Sequence, residues 1–171
     1  MTFAITPLDG AAPAAVIDGL AALLVDAVES GATVSFLAGL RHAEAAAWWT
    51  SVLAGRSPRS IVLVAHDADG IIGTVQIDPA WAPNQQHRGE VAKLLVHRRA
   101  RRRGVGRALM RELERRGRAA GFTLLMLNTR QGDAGEPLYL SLGWTRIGDV
   151  PGYALDPAGV PHPTVLFYKE L

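Results

Sequence analysis

The stretch Val91–Leu109, VAKLLVHRRARRRGVGRAL, decides how this chain folds: an apolar strand-like run enters an arginine-dense glycine turn and leaves it as an amphipathic helix. A backbone that turns several N–H groups toward one anion must bend closely around it. Gly104 and Gly106 lack the Cβ that would obstruct that bend. The unpaired N–H groups at the start of the following helix, together with its dipole, make a ready anion site, and neighbouring guanidinium groups add full charge. The stretch therefore reads as strand, phosphate-gripping turn and helix.

Outward from it, the helix is expected to end near Gly121. Val105, Leu109, Leu113 and Ala120 would form its buried face, and Arg107, Arg111 and Arg115 another. Glu112 to Arg116 and Glu114 to Arg118 stand at ion-pair spacing on the solvent side. Upstream, SIVLVAHD and GIIGTVQID are β-branched runs separated by Asp67-Ala68-Asp69-Gly70, a hairpin signal in which Gly70 supplies positive φ. Residues Pro79 to Arg88 read as a polar loop, with Trp81 as the aromatic candidate for a substrate wall. Trp48, Trp49 and Trp144 read as core or interface.

The N-terminal part reads as a short strand near Phe3 to Leu8, then helices from about Pro13 to Ser30 and from Arg41 to Leu53. Beyond Gly121 come the FTLLMLN strand, a short helix over roughly Ala134 to Leu142, and strands near Trp144 to Val150 and Thr164 to Lys169. Strands interleaved with helices and closing on a hairpin-like pair indicate an α+β or mixed α/β fold on one central sheet.

With 171 residues and 49% hydrophobic content, the chain suits a single domain over 1–171. No apolar run approaches the roughly 20 residues of a membrane span, and the N-terminus lacks the order of a secretion signal, so a cytoplasmic protein is expected. Cysteine is absent, which excludes disulfides, thiolate metal ligands and an acyl group carried on an enzyme cysteine. No serine sits in a Gly-x-Ser-x-Gly setting. His42, His66, His87, His97 and His162 show no metal-ligand spacing, and no metal is expected.

Net charge is +2, yet ten of the eighteen bases are arginines between Arg98 and Arg118, where only two of the sixteen acids lie. The rest of the chain thus carries eight bases against fourteen acids. Confinement of positive charge beside one glycine turn points to a compact anion rather than a nucleic acid. A dinucleotide-binding fingerprint would place a third small residue where Leu109 stands, and the Gly-Lys-Ser/Thr ending of a nucleotide-phosphate loop is missing.

Arg101-Arg102-Arg103-Gly104-Val105-Gly106 has the form Arg-x-x-Gly-x-Gly between a strand and a helix, and resembles the acyl-coenzyme A pyrophosphate loop of the GNAT N-acetyltransferase superfamily. Leu138-Tyr139-Leu140-Ser141-Leu142-Gly143-Trp144 resembles that family's second signature, which carries a general-acid tyrosine. The ending GYALDPAGVPHPTVLFYKEL, the GATVSF stretch and the Glu90 segment further resemble the tabtoxin-resistance acetyltransferase subgroup. The resemblance implies a GNAT fold: a central, mostly antiparallel twisted sheet flanked by about four helices. It also implies direct transfer of acetyl from acetyl-CoA to a primary amine of a small molecule such as an antibiotic or toxin, and a possible homodimer.

On that resemblance, backbone groups of Leu94, Leu95 and Val96 would hold the pantetheine. Arg101, Arg102, Arg103, Gly104, Val105 and Gly106 would hold the pyrophosphate, with Arg107 assisting. A departing thiolate needs a proton, and Tyr139, with a reference pKa of about 10, can deliver it; taken alone it reads as a half-buried aromatic packing a short helix, and its place in the family-like segment gives it the catalytic role. Glu90 is placed by simple alternation on the face of Ala92, Leu94 and Val96. It is either the base that deprotonates the incoming ammonium or a solvated strand-end residue. Asn128 would bind pantetheine or substrate, or cap a turn; it stands where the subgroup implies an acid, and an amide cannot serve as a base. Pro137 and Gly135 depart from the family's alanine-rich turn. Two other readings of the chain stand beside the enzyme: a non-catalytic acetyl-CoA sensor and a basic nucleic-acid module.

Overall fold

In the computed structural model, which describes residues 2–171, the chain runs β1 (Ala4–Pro7), α1 (Ala14–Glu29), α2 (His42–Ala54), β2 (Ile61–Asp67), β3 (Gly70–Pro79), β4 (Arg88–Val96), α3 (Val105–Ala119), β5 (Leu124–Arg130), α4 (Gly135–Ser141), β6 (Thr145–Leu155) and β7 (Pro161–Glu170). The strands form one sheet in the order β1-β2-β3-β4-β5-β7-β6. Every neighbouring pair is antiparallel except β4 and β5. A parallel pair needs a long crossover, and α3 supplies it. The mixed α+β fold expected from the sequence, a mostly antiparallel sheet with four helices, is the fold observed.

Helices cover both faces of the sheet. Leu20, Leu23, Leu24 and Ala27 of α1 pack with Ala45, Trp49 and Leu53 of α2 on Val62, Val64 and Leu95. On the opposite face Val105, Leu109, Met110 and Leu113 of α3 pack on Ile72, Val75, Ile77, Leu125 and Phe167. The hairpin between β2 and β3 forms where the turn residues place it, with Gly70 at φ +112.

Two expectations about α3 are corrected. Ala120 is exposed beyond the helix end, and the buried stripe runs instead through Met110, Leu113, Glu114 and Gly117. Glu114 pairs with Lys169 rather than Arg118: its carboxylate receives Lys169 Nζ at 2.7 Å and Trp144 Nε1 at 2.9 Å. The ion-pair spacing is present in sequence, but the packing of α3 on β2, β3 and β4 turns Glu114 inward, where Lys169 and Trp144 meet it. Glu112 does pair with Arg116, and also with Arg115.

The final strands are longer than their apolar patterns. β6 is an edge strand, exposed along most of its length, so burial leaves little alternation in it to read.

Candidate active site

β4 and β5 are paired only from Arg88, Gly89 and Glu90 to Leu124, Leu125 and Met126. Beyond Glu90 they part. β4 stays bonded to β3 and β5 to β7, leaving a wedge-shaped gap between two strand edges whose main-chain groups have no sheet partner on that side. Leu94, Leu95 and Val96 line the β4 edge and Asn128, exposed, lies on β5 beyond the split.

A bulge in β4 sits beside the gap. Ala92 faces Gln76 and Leu95 faces Thr74, so β4 carries one residue more than β3 across that interval, and Lys93 takes φ +53 to accommodate it. The bulge shifts the phase of the strand. Val91 packs on the α3 side, as do Leu94 and Val96, whereas Leu95 packs on the α1–α2 side. Simple alternation therefore fails: Glu90 does not share a face with Leu94 and Val96 but lies opposite Val91, toward α1 and α2. Its carboxylate pairs with Arg88, and its side chain remains about half exposed.

At the mouth of the gap the chain passes through two left-handed residues, Arg102 (φ +62) and Gly104 (φ +82), before α3 begins. The first intrahelical bond runs from Ala108 N–H to Gly104 C=O at 3.0 Å. The amides of Val105, Gly106 and Arg107 thus stand at the helix start without intrahelical acceptors. Val105 is buried and anchors the turn. A Cβ on Gly106 would lie 3.4 Å from Leu138 and 3.6 Å from Val96, an ordinary contact distance.

The arginine run divides into two classes. Arg98 is held by Asp26 and Glu29, and Arg99 grips Asp67 with both guanidinium nitrogens at 2.7 and 2.9 Å. Arg101 donates to the Val96 carbonyl at 3.1 Å and lies 3.8 Å from Asp26. These three fasten the loop to α1 and to the β2–β3 turn. Arg102 and Arg103 are exposed and form no ion pair among the described residues, so their charge is available to an anion. Arg107 donates to Ser141 Oγ at 2.9 Å, linking the first turn of α3 to α4.

Tyr139 on α4 is buried, with its ring 5.8 Å from Phe167 and 6.1 Å from Trp144. Burial first, and the Asp133 carboxylate second, push its phenol well above the ordinary value, so it carries its proton through the neutral and mildly alkaline range. Gly135 permits this placement: a Cβ there would lie 3.0 Å from both Thr129 Oγ1 and Tyr139 Cε2. The departure from an alanine-rich turn thus has a steric cause.

Sequence reasoning missed a group on the α1–α2 face. Asp78 lies directly across from Glu90 in the β3–β4 register, and Gln76 two residues before it donates to Asp78 Oδ2 at 2.6 Å. Lys93 Nζ donates to Val34 C=O at 3.2 Å and Ser35 Oγ at 3.0 Å and stands 5.1 Å from the Trp48 ring centroid, drawing the α1–α2 connection over the sheet. Burial lowers the Lys93 pKa, against the pull of Asp78. A polar residue inside AKLLV was the available signal, but its meaning depends on the bulge. Trp81 is 90% exposed on the loop beyond β3, while Trp48 is the ring packed at this face.

No cluster of three or more metal-ligating side chains occurs among the described residues, and none of their helices is long and apolar enough to cross a membrane.

The same architecture occurs widely among solved structures. A GCN5-related N-acetyltransferase from Kribbella flavida is 25% identical with a TM-score of 0.78, covering 98% of this chain and 98% of that one. A ribosomal-protein-alanine N-acetyltransferase from Brucella melitensis is 22% identical (TM-score 0.80, 98% and 99% covered). A phosphinothricin acetyltransferase from Sinorhizobium meliloti, solved with acetyl-CoA, is 21% identical (TM-score 0.79, 100% and 89% covered). The sequence profile described as the Acetyltransferase (GNAT) family matches residues 19–144, most of the chain, with the parted strands, the glycine turn and Tyr139 all inside that span. By that match, this chain belongs to the GNAT family of acetyltransferases.

Proposed function

We propose that this protein is an acetyl-CoA-dependent N-acetyltransferase that acts on a primary amine of a small molecule by direct transfer, both substrates being bound together. The parting of β4 from β5 beside the amide-rich start of α3 is the observation that carries this reading. One strand edge there can hydrogen-bond an extended arm while the turn holds an anion at its end.

Acetyl-CoA supplies an acetyl group already activated as a thioester. Backbone groups of Leu94, Leu95 and Val96 bind the pantetheine arm along the open edge of β4, with Asn128 on the facing edge. The N–H groups of Gly104, Val105, Gly106 and Arg107 and the charges of Arg102 and Arg103 hold the pyrophosphate. Arg101 keeps the loop in place through Val96 and Asp26. An amide donor near the bulge that polarises the reacting carbonyl is worth about 3 to 4 kcal/mol.

Glu90 receives the proton of the incoming ammonium, whose ordinary pKa of about 10.4 leaves it no lone pair at neutral pH. Tyr139 gives its proton to the departing sulfur and is reprotonated by the second proton that the nitrogen loses as the amide forms, while the proton taken by Glu90 passes to solvent, so one proton is released per turnover. The resemblance to the tabtoxin-resistance subgroup favours an antibiotic-like or toxin-like amine. With Asn128 in place of an acid, a second carboxylate at that position takes no part.

Thiol release from acetyl-CoA against a panel of amines tests the reading. Amine-dependent release is expected, and Glu90→Gln should depress it most at pH values where the substrate is chiefly ammonium. Cofactor binding without release under any amine would leave a sensor. Affinity for DNA or RNA that falls steeply with salt, without cofactor binding, would indicate the nucleic-acid module instead.

A further inference from the structure

We infer that the acceptor of this protein carries a carboxylate several bonds from its reacting nitrogen, and that Arg130 receives that carboxylate in a cavity beside the parted strands. The inference rests on the transferase reading, with Glu90 at the amine.

β5 runs from Leu124 to Arg130 without a break in its register to β7. Leu125 and Leu127 pack on the α3 side, so alternation turns Met126, Asn128 and Arg130 to the face of α1 and α2. Glu90 is the partner of Met126 across the parallel β4–β5 contact and shares that face. Glu90 and Arg130 therefore lie on one side of the sheet, at the two ends of the open β5 edge, about 13 Å apart along the strand.

Arg130 lines a cavity of about 380 Å³ between the C-terminal end of α1, the α1–α2 connection and the β6–β7 turn, a size suited to a small ligand. Ala38 N–H closes its rim by donating to Pro157 C=O at 2.8 Å. Val25, Val28, Leu40 and Pro157 give it apolar walls that suit a methylene chain.

Of the charged side chains lining the cavity, the two acids are already engaged. Glu29 accepts from Arg98 at 3.0 Å. Asp156 accepts the N–H groups of Ala158 and Val160 at 2.9 and 3.0 Å and meets the His162 ring nitrogen at 2.9 Å. Arg130 is half-buried, and its guanidinium makes no hydrogen bond, ion pair or ring contact among the described residues. Asp133 feels the charge of Arg130, yet burial keeps that carboxyl above its ordinary value and the two form no ion pair. A partly desolvated guanidinium without an acceptor is costly, and a carboxylate met by its parallel N–H groups relieves it.

Glu90 is drawn back toward Arg88, whereas Arg130 extends into the cavity, so the two are directed apart. An α-amino acid, whose nitrogen and carboxylate are separated by a single carbon, is too short to meet both. An amine with a carboxylate at the far end of an aliphatic chain spans them and lays its methylenes against the apolar walls.

The thiol-release assay tests this with three amines of equal carbon number: ε-aminocaproate, norleucine and n-hexylamine. The wild-type protein should favour ε-aminocaproate over each of the others by about tenfold or more in kcat/KM, the scale of a charge-assisted contact. Arg130→Gln should cut that preference at least about fivefold through a higher KM for ε-aminocaproate with little change in kcat, as when binding common to the ground and transition states is lost. Arg130→Glu should turn the preference toward hexamethylenediamine, and Arg130→Lys, which keeps the charge, should retain the preference over n-hexylamine; thermal melting establishes that each variant is folded. A preference unchanged in folded Arg130→Gln, or a wild-type preference for norleucine or n-hexylamine, overturns the inference and leaves the transferase reading intact. A rise in KM for acetyl-CoA matching that for ε-aminocaproate overturns it as well, by assigning the cavity to the cofactor. Absence of thiol release with every amine overturns both.

Discussion

Replacing Gly106 with alanine should push stability and cofactor affinity in opposite directions. The residue is the second of α3, and an added Cβ meets Leu138 at 3.4 Å and Val96 at 3.6 Å, neither of which needs to move. Exchanging glycine for alanine gains up to about 1 kcal/mol inside a helix. Close to the helix start we expect about half of that, a rise in melting temperature of about 1 to 2 °C for a chain of this size. The same Cβ stands beside the amides assigned to the pyrophosphate. Loss of one hydrogen bond to a charged group costs about 1.5 to 3 kcal/mol, or roughly a ten- to hundredfold weaker Kd. Differential scanning calorimetry of the free protein and titration calorimetry with acetyl-CoA read the two effects separately. A variant destabilised by more than about 1 kcal/mol would refute the packing argument. Unchanged affinity would show that the phosphates do not approach the side of the turn that this Cβ occupies.

Four further outcomes follow from the geometry. Tyr139→Phe keeps the ring packed on Phe167 and Trp144 and should melt close to wild type while kcat falls about 100-fold, the lower end of what a positioned acid contributes. Because burial raises the Tyr139 pKa, its deprotonation should bring no decline in wild-type rate below about pH 10; a descending limb below that value that disappears in Tyr139→Phe would contradict the shift. Lys169→Met leaves the buried Glu114 carboxylate with only Trp144 as donor, and should cost about 3 kcal/mol in denaturant unfolding, much of it recovered by adding Glu114→Gln; a loss under about 1 kcal/mol would mean the pair is replaceable by solvent. Glu112 is held down at about 2 by its hydrogen bond to Arg115 and then by Arg116, so its contribution to stability is complete above the ordinary carboxylate range and disappears as pH falls toward 2. The acid limb of the melting curve should therefore be shallower in Glu112→Gln, and identical limbs would count against the pairing.

Much of this molecule was legible along the chain because the signals are local. Apolar spacing marks α1 and the Val105–Leu113 part of α3, β-branched runs mark β2 and β3, Gly70 marks their hairpin, and Gly104 marks the left-handed step into α3. Each depends on residues a few positions apart, whose backbone preferences act before any long-range contact exists. The strand, glycine turn and helix beginning at Val91 likewise form in the order their own residues indicate.

Tertiary structure decided which partners those residues meet. The bulge at Lys93 adds one residue to β4 and reverses the strand's phase, moving Glu90 to the face opposite Leu94 and Val96. Packing of α3 on the sheet chose Lys169 and Trp144 for Glu114 over the exposed Arg118 one helical turn away. Within the arginine run, contacts with Asp26 and Asp67 separated the residues that fasten the loop from Arg102 and Arg103, which face solvent. Asp78 gained its place opposite Glu90 only through cross-strand register. Local propensity sets how a segment bends. Which charge ends beside which depends on register and on burial across the sheet, and these arise only once distant strands and helices have packed together.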